Sequence, residues 1–396
     1  MRNAFTASTT LRPMAQQLLE DRSPAAYAGV EAYARAHAKE DAGALAWLAV
    51  GYARVQDHDY AKAIDPLNRA KPLAGDLGDY VAYYLGTCYL QTGRKAEALA
   101  TLANFATSYP DSLLVRDADV SYAGALLTED RAAEAAALLE KERLPARSDL
   151  ELTLGRAYAV LGEPAKAAAA LENVYYNMPT SPDADAAYGE LRKLPQAPAA
   201  TPAQHRTRGD LLLKARRYND AADEYRELAT LTGAEGRPAA ELALADALHR
   251  AGRDREAKAA LTTLPGATTD QNAQRLYILG EVAWSSNENE AFYRTVDELR
   301  SLAPTSPWLE TALLSVANLH LVHHEYDQAL DAYRELQQRF PNGSRAAYAL
   351  EGRLADPAPR TQRRSEKRIR RTDRCLSHRQ RDLGGPLLAR KAGRGR

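Results

Sequence analysis

The sequence predicts an all-α protein, a solenoid in which about eight helix hairpins stack into a superhelix. Three observations predict it. Hydrophobic residues make up 45% of the chain, and alanine dominates them, while phenylalanine occurs only four times. Alanine is the best helix former, whereas sheets favour β-branched and aromatic residues. A small or apolar slot recurs at Ala63, Ala98, Ala135, Ala167, Ala221, Ala257, Phe292 and Ala329, at helix-pair spacing. Glycine and proline punctuate that spacing where helices turn and where pairs end.

The elements follow in chain order. Residues 1–46 read as N-terminal helices, with a helix pair over 11–40. The opening MRNAFTASTTLRPMAQQLLE has no continuous apolar stretch and so, as written, no secretory signal. Residues 47–193 hold repeats one to four. Tyr83 onward, YYLGTCYLQTGRKAEALATLANFATSYP, aligns position for position with Leu152 onward, LTLGRAYAVLGEPAKAAAALENVYYNMP. Leu85, Gly86, Tyr89, Ala98 and Pro110 match Leu154, Gly155, Tyr158, Ala167 and Pro179. Gly51 takes the Gly86 slot in repeat one and Gly280 takes it in repeat seven, while Trp47 fills an early aromatic slot of the first helix in repeat one. The one long step, from Ala167 to Ala221, spans LPQAPAATPAQ at 194–204, which reads as a Pro/Ala linker or loop. Residues 205–349 hold repeats five to eight, with Pro304 and Pro341 closing the last two.

The recurring Leu-Gly-x-x-Tyr, the alanine of the second helix and the closing proline resemble the tetratricopeptide repeat. Three further stretches, FATSYPDSLLVRDA, YYNMPTSPDADAAYGEL and YRELQQRFPNGSRAAYA, resemble the N-terminal helical region of soluble lytic murein transglycosylases. That resemblance covers roughly residues 15–349. It implies a periplasmic scaffold that contacts peptidoglycan glycan strands and positions a catalytic domain. That family's Glu-Ser pair and Gly-Leu-Met-Gln segment are absent, so the chain offers no general acid for glycan cleavage.

Residues 350–396 break the pattern. Segment 351–396 holds 15 basic and 5 acidic residues, a surplus of ten that the rest of the chain offsets. It reads as a basic disordered tail or as the product of a reading-frame shift near codon 350. Codons compatible with Leu350 to Arg360, shifted by one nucleotide, can spell a continuation of the repeat, so we expect a truncated N-terminal part of a longer protein. The alternative is a genuine tail that binds nucleic acid or anionic surfaces.

No motif marks a cofactor, phosphate or metal site. The sequence lacks GxxxxGK[ST], GxGxxG, HExxH and GxSxG. Cys88 and Cys375 make no metal spacing and leave the compartment undecided. His320, His323, His324 and Glu325 are the densest set of possible ligands. The register places His320 in the aromatic slot of a first helix and the other two near a turn, which favours structure over metal. Tyr83, Tyr84, Tyr175, Tyr176 and Tyr225 are able to stack on sugars, but helical spacing favours packing, as it does for Trp47, Trp284 and Trp308. Tyr83, Thr87, Leu152, Arg156, Leu314 and Asn318 fall at inner positions and form no carboxylate clamp.

The function expected is a non-catalytic scaffold with peptidoglycan or a protein partner in a concave groove. The second reading is a stand-alone cytoplasmic adaptor that binds a protein or peptide there.

Overall fold

The computed structural model describes residues 9–195, 198–262, 264 and 267–345; the basic segment at 350–396, with Cys375, lies outside them. The chain divides between Ala199 and Ala200 into two compact units. The described secondary structure is helical throughout, and the fold is an all-α solenoid.

The first unit opens with a pair, α1 (Leu11–Asp21) and α2 (Pro24–Ala36). Pair one is α3 (Asp41–Gln56) and α4 (Tyr60–Ala70). Pair two is α5 (Gly78–Gln91) with α6 (Lys95–Leu102) and α7 (Phe105–Ser108). Pair three is α8 (Val115–Leu127) and α9 (Ala132–Lys141), and pair four is α10 (Ser148–Val160) and α11 (Pro164–Asn177). A single helix, α12 (Ala184–Leu191), packs on pair four.

The second unit holds pair five, α13 (Pro202–Lys214) and α14 (Tyr218–Leu231), and pair six, α15 (Arg237–Arg250) and α16 (Asp254–Ala260). Pair seven is α17 (Thr269–Ser285) and α18 (Asn289–Leu302); pair eight is α19 (Pro307–Val322) and α20 (Tyr326–Arg339).

One register explains pairs one to eight. Number each from the small residue of its first helix: Gly51, Gly86, Ala123, Gly155, Gly209, Ala245, Gly280 and Ala317. Sixteen residues later a large side chain fills the gap left by the missing bulk. These are Leu67, Leu102, Leu139, Leu171, Tyr225, Leu261, Val296 and Tyr333, all buried. A Cβ on Gly51 or Gly86 would stand 2.5 Å from the opposing leucine. Twelve residues after the small residue lies the buried slot of Ala63, Ala98, Ala135, Ala167, Ala221, Ala257, Phe292 and Ala329. Burying each large side chain contributes roughly 1.5–3 kcal/mol.

The turn between helices sits at a fixed place as well. Position seven is left-handed in every pair: His58, Gly93, Asp130, Gly162, Arg216, Gly252, Asn287 and His324 all have φ between 57 and 78°. The next residue's N–H bonds the carbonyl five back, at 2.8–3.0 Å, as in Glu325 to His320. That closure satisfies the last carbonyls of the first helix.

The structure moves several sequence boundaries. The division between residues 46 and 47 falls inside α3, which starts at Asp41. The linker read as 194–204 gives its last residues to α13. There Thr201 caps the helix with a reciprocal Gln204 bond, and Pro202 supplies a preset φ. The second helix of pair two breaks at Ala103 and Asn104, so Phe105 is buried from a separate turn. Pro110, Pro179, Pro304 and Pro341 each follow a helix end by two residues.

Candidate functional site

Which helices touch defines the inner surface. Successive first helices pack on one another, α3 on α5, α5 on α8, α8 on α10 and α10 on α12, then α15 on α17 and α17 on α19. Second helices pack on the first helices that flank them, and among the described residues none packs substantially on another second helix. The layer of first helices is therefore the tighter one, and its open side is the concave face of each unit.

The repeat-signature residues do not form that face. Trp47, Leu85, Tyr89, Ala98, Leu154, Tyr158, Ala167 and Ala329 are buried between helices, with Gly51, Gly86, Gly155 and Gly280 at helix crossings. Trp47 carries the guanidinium groups of Arg35 and Arg69 over its ring at 5.8 and 5.1 Å. Trp284 packs near Phe292 and Trp308 near Tyr277. Tyr176 and Tyr225 are core, and Tyr175 stacks on Tyr188 at 4.5 Å.

One inner position behaves otherwise than the register implies. Leu152 is buried against Leu171, Ala187 and Leu191, because α12 closes over it. Arg156 reaches Glu190 of the same helix at 3.6 Å.

What lines the first unit's inner face is aromatic. Tyr52 of α3 meets Tyr84 of α5 at 5.2 Å, and Tyr80 and Tyr83 flank Tyr84 at 6.5 and 5.3 Å. Tyr52, Tyr83 and Tyr84 are half-buried, and Tyr80 is exposed. Burial, then the neighbouring tyrosines and Asp117, push Tyr84 up to about 12; burial and Asp117 raise Tyr83. No hydrogen bond among the described residues uses the hydroxyls of Tyr52, Tyr80 or Tyr84. Beside them Arg147 bridges Asp117 at 2.5 Å and Asp149 at 2.6 Å.

The second unit's inner face is acidic. The position after the small residue holds Asp210, Asp246, Glu281 and Asn318. Asp210 accepts from the Tyr225 hydroxyl at 2.7 Å, Asp246 from Arg250 Nε at 2.8 Å and Glu281 from Ser315 Oγ at 2.9 Å. Asn318 accepts from Tyr333. Burial raises the Glu281 carboxyl above its ordinary value, against the Ser315 bond and the charges of His249 and Arg250. Single-sequence reading missed this ladder and missed Tyr52 and Tyr80. The signal was present, since each lies at a fixed offset from the small residue.

Two of the histidines are held by local contacts and backbone geometry. His320 Nδ1 lies 2.6 Å from Glu325, and its ring stacks on Tyr293. His324 is the left-handed turn residue. No group of three or more metal-binding side chains occurs among the described residues. There too, no helix is long and apolar enough to cross a membrane. Cys88 is buried, which pushes its thiol up to about 12.

Asp119 of α8 has no hydrogen-bond or ion-pair partner among the described residues and is 8% exposed. Burial and the nearby Glu142 carboxylate push it up to about 6. Its counterpart in pair four, Glu151, is paired with Arg143 through two bonds of 2.8 and 3.0 Å.

Residues 80–112 match the sequence model of the tetratricopeptide repeat. Several solved structures are similar in part. PilF of Pseudomonas aeruginosa is 16% identical over 68% of this chain and 95% of its own, with a TM-score of 0.30. A tetratricopeptide repeat protein of Parabacteroides merdae is 14% identical over 68% and 96%, with a TM-score of 0.32. The P58(IPK) tetratricopeptide domain is 15% identical over 93% and 98%, with a TM-score of 0.26. No curated protein matches the chain.

Proposed function

We propose that this helical-repeat scaffold is a non-catalytic adaptor that holds an extended segment of another protein against its inner faces. The observation that supports it is the patch of Tyr52, Tyr80, Tyr83 and Tyr84. These rings lie at the edge of the core, and among the described residues three of their hydroxyls have no hydrogen-bond partner. Tyrosine offers a large, rigid contact area and a polar handle at low entropy cost.

The peptidoglycan reading is kept as a second one, because open tyrosine rings also suit sugar faces. It rests otherwise on repeat texture, and periplasmic placement rests on the same likeness. One experiment separates the two. Purified full chain and the Tyr52→Ala/Tyr84→Ala variant, matched by circular dichroism, are offered to purified peptidoglycan and to extended peptides. Peptide binding that the variant loses supports the adaptor. Retention on peptidoglycan that the variant loses, without peptide binding, replaces it with the glycan reading.

A further inference from the structure

Building on the adaptor reading, we infer that the first unit's tyrosine patch takes a basic segment, one that lays arginine or lysine side chains on the rings. Elsewhere the chain sets cations over tyrosine rings, four of them buried and one, Tyr188, exposed. Arg54 covers Tyr27 at 3.6 Å, Arg94 covers Tyr89 at 4.7 Å and Lys166 covers Tyr158 at 5.0 Å. Arg192 over Tyr188 and Arg206 over Tyr225 repeat the arrangement. Among the described residues no such cation covers Tyr52, Tyr80, Tyr83 or Tyr84.

Local charge points the same way. Asp117 and Asp149 share the single guanidinium of Arg147, so one negative charge is left over. Asp79, at the start of α5, accepts from the Ser112 hydroxyl and has no cation among the described residues. Asp79, Asp117 and Asp149 outnumber Arg147 and the neighbouring Arg116, whose guanidinium bonds the carbonyls of Glu142 and Pro145, so the border of the tyrosine patch keeps a net negative charge. A cation in that place gains from the ring quadrupoles and from the carboxylates together. A neutral segment gains from neither, and an acidic one is repelled.

The charge of the occupant is tested on the full chain with three labelled peptides of one extended sequence, carrying arginine, glutamine or glutamate at alternate positions. Fluorescence anisotropy at low and moderate salt reads the affinities. The arginine peptide is expected to bind at least tenfold tighter than the glutamine peptide, with the advantage shrinking as salt rises. Tyr52→Leu/Tyr84→Leu is expected to lose about tenfold for the arginine peptide and little for the glutamine peptide. Tyr80→Leu, at the most exposed ring, is expected to lose a few-fold while leaving packing alone. Equal binding of the arginine and glutamine peptides overturns the inference and leaves the adaptor reading standing. Arginine binding that neither tyrosine variant weakens also overturns it, since net charge would then explain the attraction. Binding of none of the three sinks both.

Discussion

The two units share one frame and differ at one offset from it. In both, the small residue, the left-handed turn and the large side chain sixteen residues on occupy the same places. The next residue along the first helix is Tyr52, Thr87, Gly124 or Arg156 in the first unit, none of them acidic, and Asp210, Asp246, Glu281 or Asn318 in the second. The frame fixes the positions that must pack and admits different chemistry at this one, where the second unit's side chains bond back to the frame through Tyr225, Ser315 and Tyr333. The two inner faces therefore differ in chemistry on one architecture.

The largest effect expected is on the frame itself. Leu102→Ala removes the side chain that fills the gap at Gly86 and should cost about 3 kcal/mol. Denaturant unfolding should show that loss in the first unit, with the second unit's transition in place. Adding Gly86→Ala should recover part of it, because the new methyl enters the space vacated. No recovery would mean that the pairing is not direct.

Asp119 should make the first unit's stability depend on pH between about 4 and 6. Its folded carboxyl binds a proton more tightly than the unfolded chain does, so its own contribution to stability is complete below about pH 4. That stability is lost as pH rises through about 6. Asp119→Asn should flatten the profile and raise first-unit stability at pH 7 by about 1–2 kcal/mol, a figure discounted for partial solvent screening. Thermal melts at pH 4, 5, 6 and 7 measure it.

Smaller gains are expected at the turns. Arg216 and His324 hold a left-handed conformation that glycine adopts without strain, as Gly93 and Gly162 do. Arg216→Gly or His324→Gly should stabilise by about 0.5–1 kcal/mol in urea titration. Smallest of all, Asp246→Asn breaks a half-exposed pair with Arg250 and should shift stability by no more than about 0.5 kcal/mol. A larger loss there would show that the inner slot is structural after all, and the contrast drawn between frame and face would fail.

Much of the frame was legible because sterics enforce it: Gly86 and Gly155 admit nothing larger at the crossing, and Ala98 and Ala167 sit at zero exposure. The turn was legible only where it held glycine. Asp130, Asn287 and His324 do the same work without announcing it, so His324 looked like a possible ligand. Leu152 was misplaced because α12, which hides it, lies outside the repeat period. The break between α6 and α7 was not visible in LATLANFATSYP, where no glycine or proline stands at Ala103 or Asn104 to mark it. The inner faces were the least legible part. Tyr52 and Tyr84 are 32 residues apart in sequence and meet only because α3 and α5 touch.

First helices brace one another while second helices do not, and this gives each unit a mechanical character. Bending that spreads the outer layer strains few contacts, whereas bending that spreads the inner layer breaks a row of them. Each pair leans on its sequence neighbours, so small angular give adds from one to the next like springs joined end to end. Such a unit adjusts the curvature of its concave side to the thickness of what lies in it, at little cost to any one pair.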